Sequence, residues 1–498
     1  MSKNPRFILA IDQSTSATKV LLFNQQAKLI DRVSVPHKQH YPRTGFVEHD
    51  PEEIFSNTIS GIKRLIKQSG IDESEIACIA ITNQRETAMI WDRTTGIPVS
   101  HAAVWQCQRG MEYCNKLKEQ NKGQLIKEKT GLIIDPYFSA SKLKWMVDKV
   151  EGVRELMKEG LLMAGTMDSW LVWKLTGGRV FVTDYSNACR TMLLNLETLD
   201  WDDEMIELFS LDRHMLPKLV FSDEIVGTTD PDIIFNYPIP IAGLMGDSHA
   251  ALFGQNCFSP GMAKATYGTG SSIMMNIGNK ALSPPEGLVT SIGWGRDKTI
   301  DYVFEGNIHC TGDTINWLVN DLQLIGSAGE TEDLAISVDG NNGVYLVPAF
   351  VGLGAPYWDN QARAAISGMS RSANKAHIVR AALESIAYQV KDLIDLMGKD
   401  AGISLKELRV DGGPTRNNFL MQFQSDMLSK SIVRTTIEEI SALGSTFMAG
   451  LATGFWESLE DISELRLVDR TFQPGMEAGK VEELYAGWLN AVKRAQLN

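Results

Sequence analysis

Residues 7–24, FILAIDQSTSATKVLLFN, read as a strand, a small polar tip and a second strand, and the same unit returns at 262–277, MAKATYGTGSSIMMNI. In the first copy the apolar runs 7–11 and 20–23 flank Asp12, Gln13, Ser14, Thr15, Ser16, Ala17 and Thr18. In the second, 262–267 and 273–277 flank Gly268, Thr269, Gly270, Ser271 and Ser272. Ordinary two-residue hairpins turn on Asn-Gly or Asp-Gly. A longer tip dense in hydroxyls and backbone N–H groups suits wrapping around an anion, with Asp12 placed where a divalent cation would sit. For either copy alone a solvated hairpin loop is the alternative. Each half of the chain thus begins with the same unit, and two such hairpins facing one another would clamp a nucleotide between domains.

The length of 498 residues is too great for one core and suggests two or three domains. Charged and apolar fractions of 22% and 44% are those of an ordinary soluble globular protein. A formal net charge of −13 argues against a general nucleic-acid or membrane-surface binder, which needs a basic footprint. The cysteines (Cys78, Cys107, Cys114, Cys189, Cys257, Cys310) form no CxxC pair and have no His partner at zinc spacing. They read as reduced thiols, which favours a cytoplasmic location. The apolar run near the N-terminus is too short for a signal peptide, and no later stretch reaches transmembrane length.

In chain order, Pro51–Ser69 places Ile54, Phe55, Ile59, Ile62, Leu65 and Ile66 on one helical face, with Asp50 as N-cap and Pro51 in the first turn. A buried strand over 76–82 runs into Asn83, Gln84, Arg85, Glu86 and Thr87. Arg85 and Glu86 at a strand end are either a satisfied ion pair or donors and acceptors for vicinal hydroxyls. Trp105 and Tyr137 are core aromatics or the walls of a polyol pocket. A helix is expected over 141–150, and Asp168 and Asp184 read as caps or braces. A second buried strand, 239–244, delivers Gly246, Asp247, Ser248 and His249 ahead of a small-residue helix start. Asp247 is therefore a helix cap or a general base for a hydroxyl. A long amphipathic helix is expected from 375 to about 397. A strand at 408–410 then ends in Asp411, Gly412, Gly413, Pro414, Thr415, Arg416 and Asn417, followed by a helix over 419–428. A Gly-Gly turn there permits close backbone approach to a ligand, and Asn417 would stand over a base or ribose.

Ten stretches in one order carry a family resemblance: AIDQSTSATK, ITNQRET, VWQC, IDPYFSASKLKW, TDYSNACRTML, GDSHAALFG, TYGTG, VPAFVGLGAPYWD, HIVRAALESIAYQ and VDGGPTRNNFLMQFQSD. Over nearly its entire length the chain resembles the FGGY carbohydrate kinases of the actin and hexokinase-like superfamily, and within them the glycerol kinases most. The resemblance implies an α/β fold of two actin/hexokinase-like (ribonuclease H-like) domains, 1–252 and 253–498, each on a mixed five-stranded sheet, with the active site in the cleft between them. The first domain would take acceptor and phosphate, the second the nucleotide. ATP and magnesium are implied, as is transfer of the γ-phosphate to a terminal hydroxyl of a small polyol, glycerol to glycerol 3-phosphate. A homodimer or homotetramer with no nucleic-acid or membrane partner is implied as well.

Position by position, the resemblance makes Asp247 the general base and assigns the metal to Asp12. It assigns the phosphates to Thr15, Ser16, Ala17 and Lys19, and the nucleotide to Thr269, Gly312, Asn316, Gly413 and Asn417. Arg85, Glu86, Trp105 and Tyr137 match acceptor-pocket positions, with Ser248 and Ser272 beside them. Four positions depart from the glycerol kinase pattern: Lys19 stands for Arg, Asn316 for Gln, Ser248 for Gln and Ser272 for Phe. The last two imply a looser, wetter pocket. They open the alternative of a four- or five-carbon acceptor of the erythritol, threitol, xylitol or xylulose class, held by Ser248, His249 or Ser272. An actin-like ATPase without a small acceptor is a further alternative, opposed by the convergence of Arg85, Glu86, Trp105, Tyr137 and Asp247.

Overall fold

A computed structural model of the chain describes residues 5–435, 437, 439–465 and 468–497. Its first sheet has six strands: β1 (Phe7–Gln13), β2 (Ala17–Asn24), β3 (Leu29–Pro36), β4 (Ile76–Asn83), β5 (Gly227–Thr228) and β6 (Pro240–Gly246), in the order β5-β6-β4-β1-β2-β3. The second has seven: β7 (Met262–Tyr267), β8 (Ser271–Gly278), β9 (Val289–Arg296), β10 (Thr299–Ile308), β11 (Glu407–Asp411), β12 (Ile432–Thr435) and β13 (Val468–Phe472), in the order β9-β10-β8-β7-β11-β12-β13. A shared five-strand motif lies inside both. β6-β4-β1-β2-β3 matches β12-β11-β7-β8-β10, with an antiparallel hairpin at the centre and parallel strands on one flank. The extra strands at the edges are what the expected five-stranded sheets lacked.

Central strands are covered on both faces, which is why they read as unbroken apolar runs. Along β1, Leu9 and Ile11 enter one core while Ile8 and Ala10 enter another. Pairing also runs further than the apolar residues do. The β1–β2 ladder continues to Asp12↔Lys19 and Gln13↔Thr18, supported on the other side by Gln13↔Asn83 of β4. The polar tip is therefore Ser14, Thr15 and Ser16, shorter than the seven residues the sequence suggested. In the second hairpin Tyr267 pairs with Ser271 and Thr266 with Ser272, so the tip is Gly268, Thr269 and Gly270, and both serines belong to a strand.

Helix α1 (Pro51–Ser69) starts at Asp50, whose carboxylate accepts from the N–H groups of Glu52 and Glu53, and ends at the left-handed Gly70. The helix expected over 141–150 is α2 (Ser139–Lys149), and α3 (Asp247–Gly254) follows β6 directly. The long helix α4 (Lys375–Ala401) extends past its expected end to a left-handed Gly402, and α5 (Asn418–Leu428) follows β11 through a short turn. Asp168 accepts from Thr166 and Thr183, and Asp184 caps the short helix Tyr185–Ala188, so both aspartates brace as expected. All six cysteines are buried and unbridged. Among the described residues no helix is long and apolar enough to cross a membrane.

The two sheets are joined by α6 (Ile440–Thr453), which belongs to the second half of the sequence but packs on α3 and on β4 and β6 of the first sheet. Leu443, Phe447 and Met448 share a core with Ile8, Ala10, Ala80 and Met245. Backbone contact at this crossing is very close. A Cβ added to Gly444 would stand 1.8 Å from the Ala250 carbonyl oxygen, and one on Gly254 2.6 Å from that of Ile440. Gly444→Ala is therefore expected to force the helices apart and to lower unfolding stability by about 1–3 kcal/mol or more. A denaturant midpoint equal to that of the unaltered chain would refute this account of the crossing.

Candidate functional site

The tip of the first hairpin is fixed from several sides. Ser14 donates its N–H and its hydroxyl to the Ala17 carbonyl (3.0 and 2.9 Å), and a ring nitrogen of His37 meets the Thr15 carbonyl at 2.9 Å. The Trp105 indole N–H donates to the Thr15 hydroxyl at 3.0 Å, tying this tip to the wall of the neighbouring site. Asp12 lies at the end of β1 and is buried, with the Lys19 Nζ 3.6 Å away; Lys19 in turn donates to Glu439 at 2.6 Å. Burial pushes the Asp12 carboxyl up to about 6; Lys19 opposes this shift, while Glu439 and Asp247 add to it.

A second group of side chains gathers at the ends of β4 and β6. Asp247 opens α3 with its side chain 37% exposed, and its Oδ1 accepts from the Arg85 Nε (3.2 Å) and the Ser248 N–H (2.6 Å). The remaining Oδ2 has no hydrogen-bond partner among the described residues. Arg85 places both terminal nitrogens on Glu305 of β10, Nη1 on Oε2 at 3.0 Å and Nη2 on Oε1 at 2.9 Å. Arg190 contacts the same Glu305 at 2.9 Å, donates through Nε to Glu86 at 2.6 Å and through Nη1 to Ser291 at 2.7 Å. An Arg85–Glu86 approach of 4.0 Å closes the ring. Burial alone would raise the Glu305 carboxyl, but the Arg190 and Arg85 guanidinium groups hold it well below the usual carboxylate range.

Glu86 sits at φ 60, left-handed backbone that a non-glycine residue adopts only when its surroundings impose it. Its carbonyl is clamped by the Ser139 hydroxyl (3.1 Å) and the Lys142 ammonium (3.3 Å). Lys142 is fully buried and also donates to the carbonyls of Tyr137 and Phe138, so one cation joins the Glu86 and Tyr137 segments. Burial lowers its ammonium to about 8, against attraction from Glu86. Trp105 and Tyr137 pack edge to face, ring centres 5.6 Å apart. Sequence reasoning thus named Arg85, Glu86, Trp105, Tyr137 and Asp247, which come together, and missed Arg190, Glu305 and Lys142. A lone carboxylate in the apolar run YVFEG was the available signal for Glu305.

His249 and Ser272 both carry buried polar atoms. His249, offered as an acceptor contact, is completely buried, with neither ring nitrogen hydrogen-bonded among the described residues. Burial, and after it the charge of Arg85, keep its imidazole well below its ordinary value and hence neutral. Ser272 lies on β8, paired with Asn307 of β10, and its hydroxyl is buried without a partner.

Beyond the second hairpin a cavity of about 650 Å³ is lined by Gly268, Thr269, Gly312, Asn316, Gly413 and Asn417, together with the apolar Ile315, Leu383, Ile386 and Leu420. It unites all five residues expected at a nucleotide. Thr311 and Gly312 donate to the carbonyls of Thr269 and Gly268, fixing the tip against the next helix start. Gly412 has φ 98 and no room for a Cβ, which would stand 2.0 Å from the Tyr267 carbonyl oxygen, whereas Gly413 faces open space. Asn417 caps α5 through Oδ1 and donates to Thr331 at 3.0 Å, so its amide builds the wall rather than standing free over a ligand. A cavity of this size lined by glycine turns and apolar side chains suits a nucleotide.

Comparison with known proteins adds a lineage to this geometry. Residues 7–254 match the N-terminal domain of the FGGY family of carbohydrate kinases, and residues 263–453 its C-terminal domain. The chain is 50% identical to Glycerol kinase 2 of Thermotoga maritima over 490 residues, covering 98% of this chain and 99% of the relative. It is 49% identical to the glycerol kinase of Caldanaerobacter subterraneus subsp. tengcongensis, with 98% of each covered. Among solved structures, Plasmodium falciparum glycerol kinase with ADP superposes with a TM-score of 0.94 at 35% identity, covering 99% of both chains. A ligand-bound xylulose kinase from Lactobacillus acidophilus reaches 0.87 at 23% identity over 98% of both, a likeness of fold.

The electrostatics of Asp12 make a prediction of defined sign. Its folded-state value of about 6 exceeds the ordinary 3.8, so the folded chain retains a proton that the unfolded chain has lost between those pH values. Ionised Asp12 thus opposes folding, progressively from about pH 4 to 6 and fully above that. Asp12→Asn should match the unaltered chain in thermal midpoint below about pH 4 and exceed it by about 1–3 kcal/mol of stability at pH 7, without ligands. Equal midpoints across the whole pH range would show that Asp12 carries no such burden.

Proposed function

The chain belongs to the FGGY family of carbohydrate kinases, and on that footing we propose that it transfers the γ-phosphate of ATP to a terminal hydroxyl of glycerol, giving glycerol 3-phosphate. The observation that carries this reading is the placing of Asp247. One oxygen is held by Arg85 and by the Ser248 N–H, and on a side chain that is 37% exposed the other has no hydrogen-bond partner among the described residues. Near 50% identity to glycerol kinases over almost the entire chain supports the same acceptor.

In this reading the free Asp247 oxygen accepts the proton of the attacking hydroxyl. Arg85 and Glu86 hold the vicinal hydroxyls, and Trp105 and Tyr137 pack against the carbon skeleton. Thr15, Ser16 and Ala17 present hydroxyl and backbone N–H donors to the phosphate in flight, with Lys19 adding charge. Thr269, Gly312, Asn316, Gly413 and Asn417 shape the nucleotide pocket. Among the described residues no three His, Cys, Asp or Glu side chains are grouped to cage a metal. A lone buried carboxylate suits magnesium, which takes one or two protein carboxylates and completes its shell with phosphate oxygens and water. Asp12 would hold it, and the bound ion would neutralise charge on the phosphate oxygens. We assign acceptor and phosphate to 1–252 and nucleotide to 253–498. We also place the protein in the cytoplasm as a homodimer or homotetramer.

A second acceptor class is favoured by one observation, the buried and unpartnered hydroxyl of Ser272 beside Asn307 on the wall that also carries Glu305. A four- or five-carbon polyol or ketose would bring a hydroxyl to satisfy it. ADP release measured over glycerol, erythritol, threitol, xylitol, arabitol and the pentuloses decides between them. Glycerol is expected to lead by orders of magnitude in kcat/KM, and a lead by a longer polyol would transfer the assignment. ADP release indifferent to every acceptor would mark an ATPase. Asp247→Asn should lower turnover about 10²-fold or more with ATP binding retained, and near-normal turnover would remove Asp247 from its role.

A further inference from the structure

The acceptor side chains are held by a residue of the other sheet. Glu305 lies on β10 and pairs in register with Met274 of β8, yet its carboxylate reaches across to take both terminal nitrogens of Arg85 and one of Arg190. Arg85, Glu305, Arg190 and Glu86 are each 5% exposed or less, and their charges alternate around the closed ring. Of the side chains in this group Asp247 is the exposed one, at 37%. With its terminal nitrogens on Glu305, Arg85 turns its Nε edge to Asp247, and with its Nε on Glu86, Arg190 fixes which Glu86 oxygen is engaged. Seven residues after Glu305 the same segment reaches Gly312 in the nucleotide cavity.

We propose that Glu305 and Arg190 are positioning residues of the acceptor site: they orient Arg85 and Glu86 and, through Arg85, Asp247, so that the site is complete only with the second sheet docked on the first. This rests on the kinase reading given above. Neither residue needs to touch the acceptor; each acts by denying Arg85 and Glu86 any other geometry. Water-exposed side chains would reach the same rotamers only part of the time, and a displacement of about 1 Å at reacting groups costs on the order of 10²-fold in rate. Because Glu305 belongs to the nucleotide-binding half and Arg85 to the acceptor half, the pair also couples the two sites.

The test is steady-state ADP release by Glu305→Gln, Arg190→Lys and Arg190→Met, varying glycerol at saturating ATP and ATP at saturating glycerol, with thermal midpoints and ADP affinity by calorimetry on the same samples. Expected is a fall of about 10²-fold in kcat/KM for glycerol in Glu305→Gln and Arg190→Met, carried largely by a raised KM, while the KM for ATP and the ADP affinity stay within about threefold. Arg190→Lys, which keeps the charge between the two carboxylates, should recover about tenfold of that loss over Arg190→Met. A drop in thermal midpoint with both KM values unchanged, or equal rises in both, would make the ring a structural brace and overturn the proposal. Should Glu305→Gln fail to fold, the comparison of Arg190→Lys with Arg190→Met still decides. An unaltered chain that phosphorylates no acceptor overturns the kinase reading and this proposal together, whereas active parent and unaffected variants overturn this proposal alone.

Discussion

The bidentate pair between Arg85 and Glu305 ties together what the rest of the structure builds. Arg85 follows the last residues of β4 in the first sheet, and Glu305 lies near the end of β10 in the second. Removing four charged side chains from water to make this ring carries a desolvation cost that ion pairing only repays when geometry is good and the remaining hydrogen-bond capacity is filled. Here Ser291 fills a donor of Arg190, and Asp247 accepts from the Nε of Arg85. Apolar side chains of similar volume would serve stability at least as well. The ring makes sense as a device for holding direction: a planar fork locked on one carboxylate leaves only one way for its third edge to point.

A second strap works beside the tip of the first hairpin. Glu439, at the start of α6, accepts from Lys19 of β2 and, at 3.1 Å, from Arg32 of β3. α6 is thus fixed to the first sheet both by charge at its N-terminal end and by the glycine-mediated contact with α3. The duplicated topology explains why these contacts meet where they do. In each sheet the central hairpin points its tip away from the sheet, flanked by the carboxyl ends of parallel strands, β4 and β6 in one and β11 and β12 in the other. Ligand-binding turns at the carboxyl ends of parallel strands follow from that arrangement. Duplication therefore supplies two sets of turns, and the proposed function gives one to phosphate and acceptor and the other to the nucleotide.

Much of this was legible before any coordinates. The hairpin repeat showed that each half opens with the same unit, the family resemblance implied two similar sheets, and the strand–turn placing of Asp247 and the Gly-Gly turn at 412–413 marked ligand-facing turns. What escaped the sequence is long-range. The partners Arg85 and Glu305 are 220 positions apart, and nothing local to YVFEG says which cation meets its carboxylate. The lengths of the tips escaped for a different reason. Apolar pattern reports which residues are buried, whereas strand ends are set by hydrogen bonding to neighbours, and β4 extends the ladder of β1 past its last apolar residue to Gln13. Lys142 shows the same limit, since on its helix it looks like any surface lysine, yet it is fully buried on the carbonyls of Glu86, Tyr137 and Phe138.

The two aspartates of the cleft separate by environment. Asp12 is buried at the end of a central strand, and burial together with the negative charges of Glu439 and Asp247 pushes its carboxyl up to about 6, even with Lys19 alongside. A carboxylate so placed is short of positive charge, and a divalent cation arriving with phosphate oxygens would relieve it; Lys19, already spent on Glu439, relieves it only in part. Asp247 faces the opposite situation. It is more than a third exposed and carries two donors on one oxygen, which leaves the second oxygen without a hydrogen-bond partner among the described residues. Exchanging their roles would put the proton acceptor where protonation is already favoured by burial and the metal ligand where an arginine competes for it. In the proposed function, depth and neighbours would thus distinguish base from metal ligand, with the same side chain at both positions.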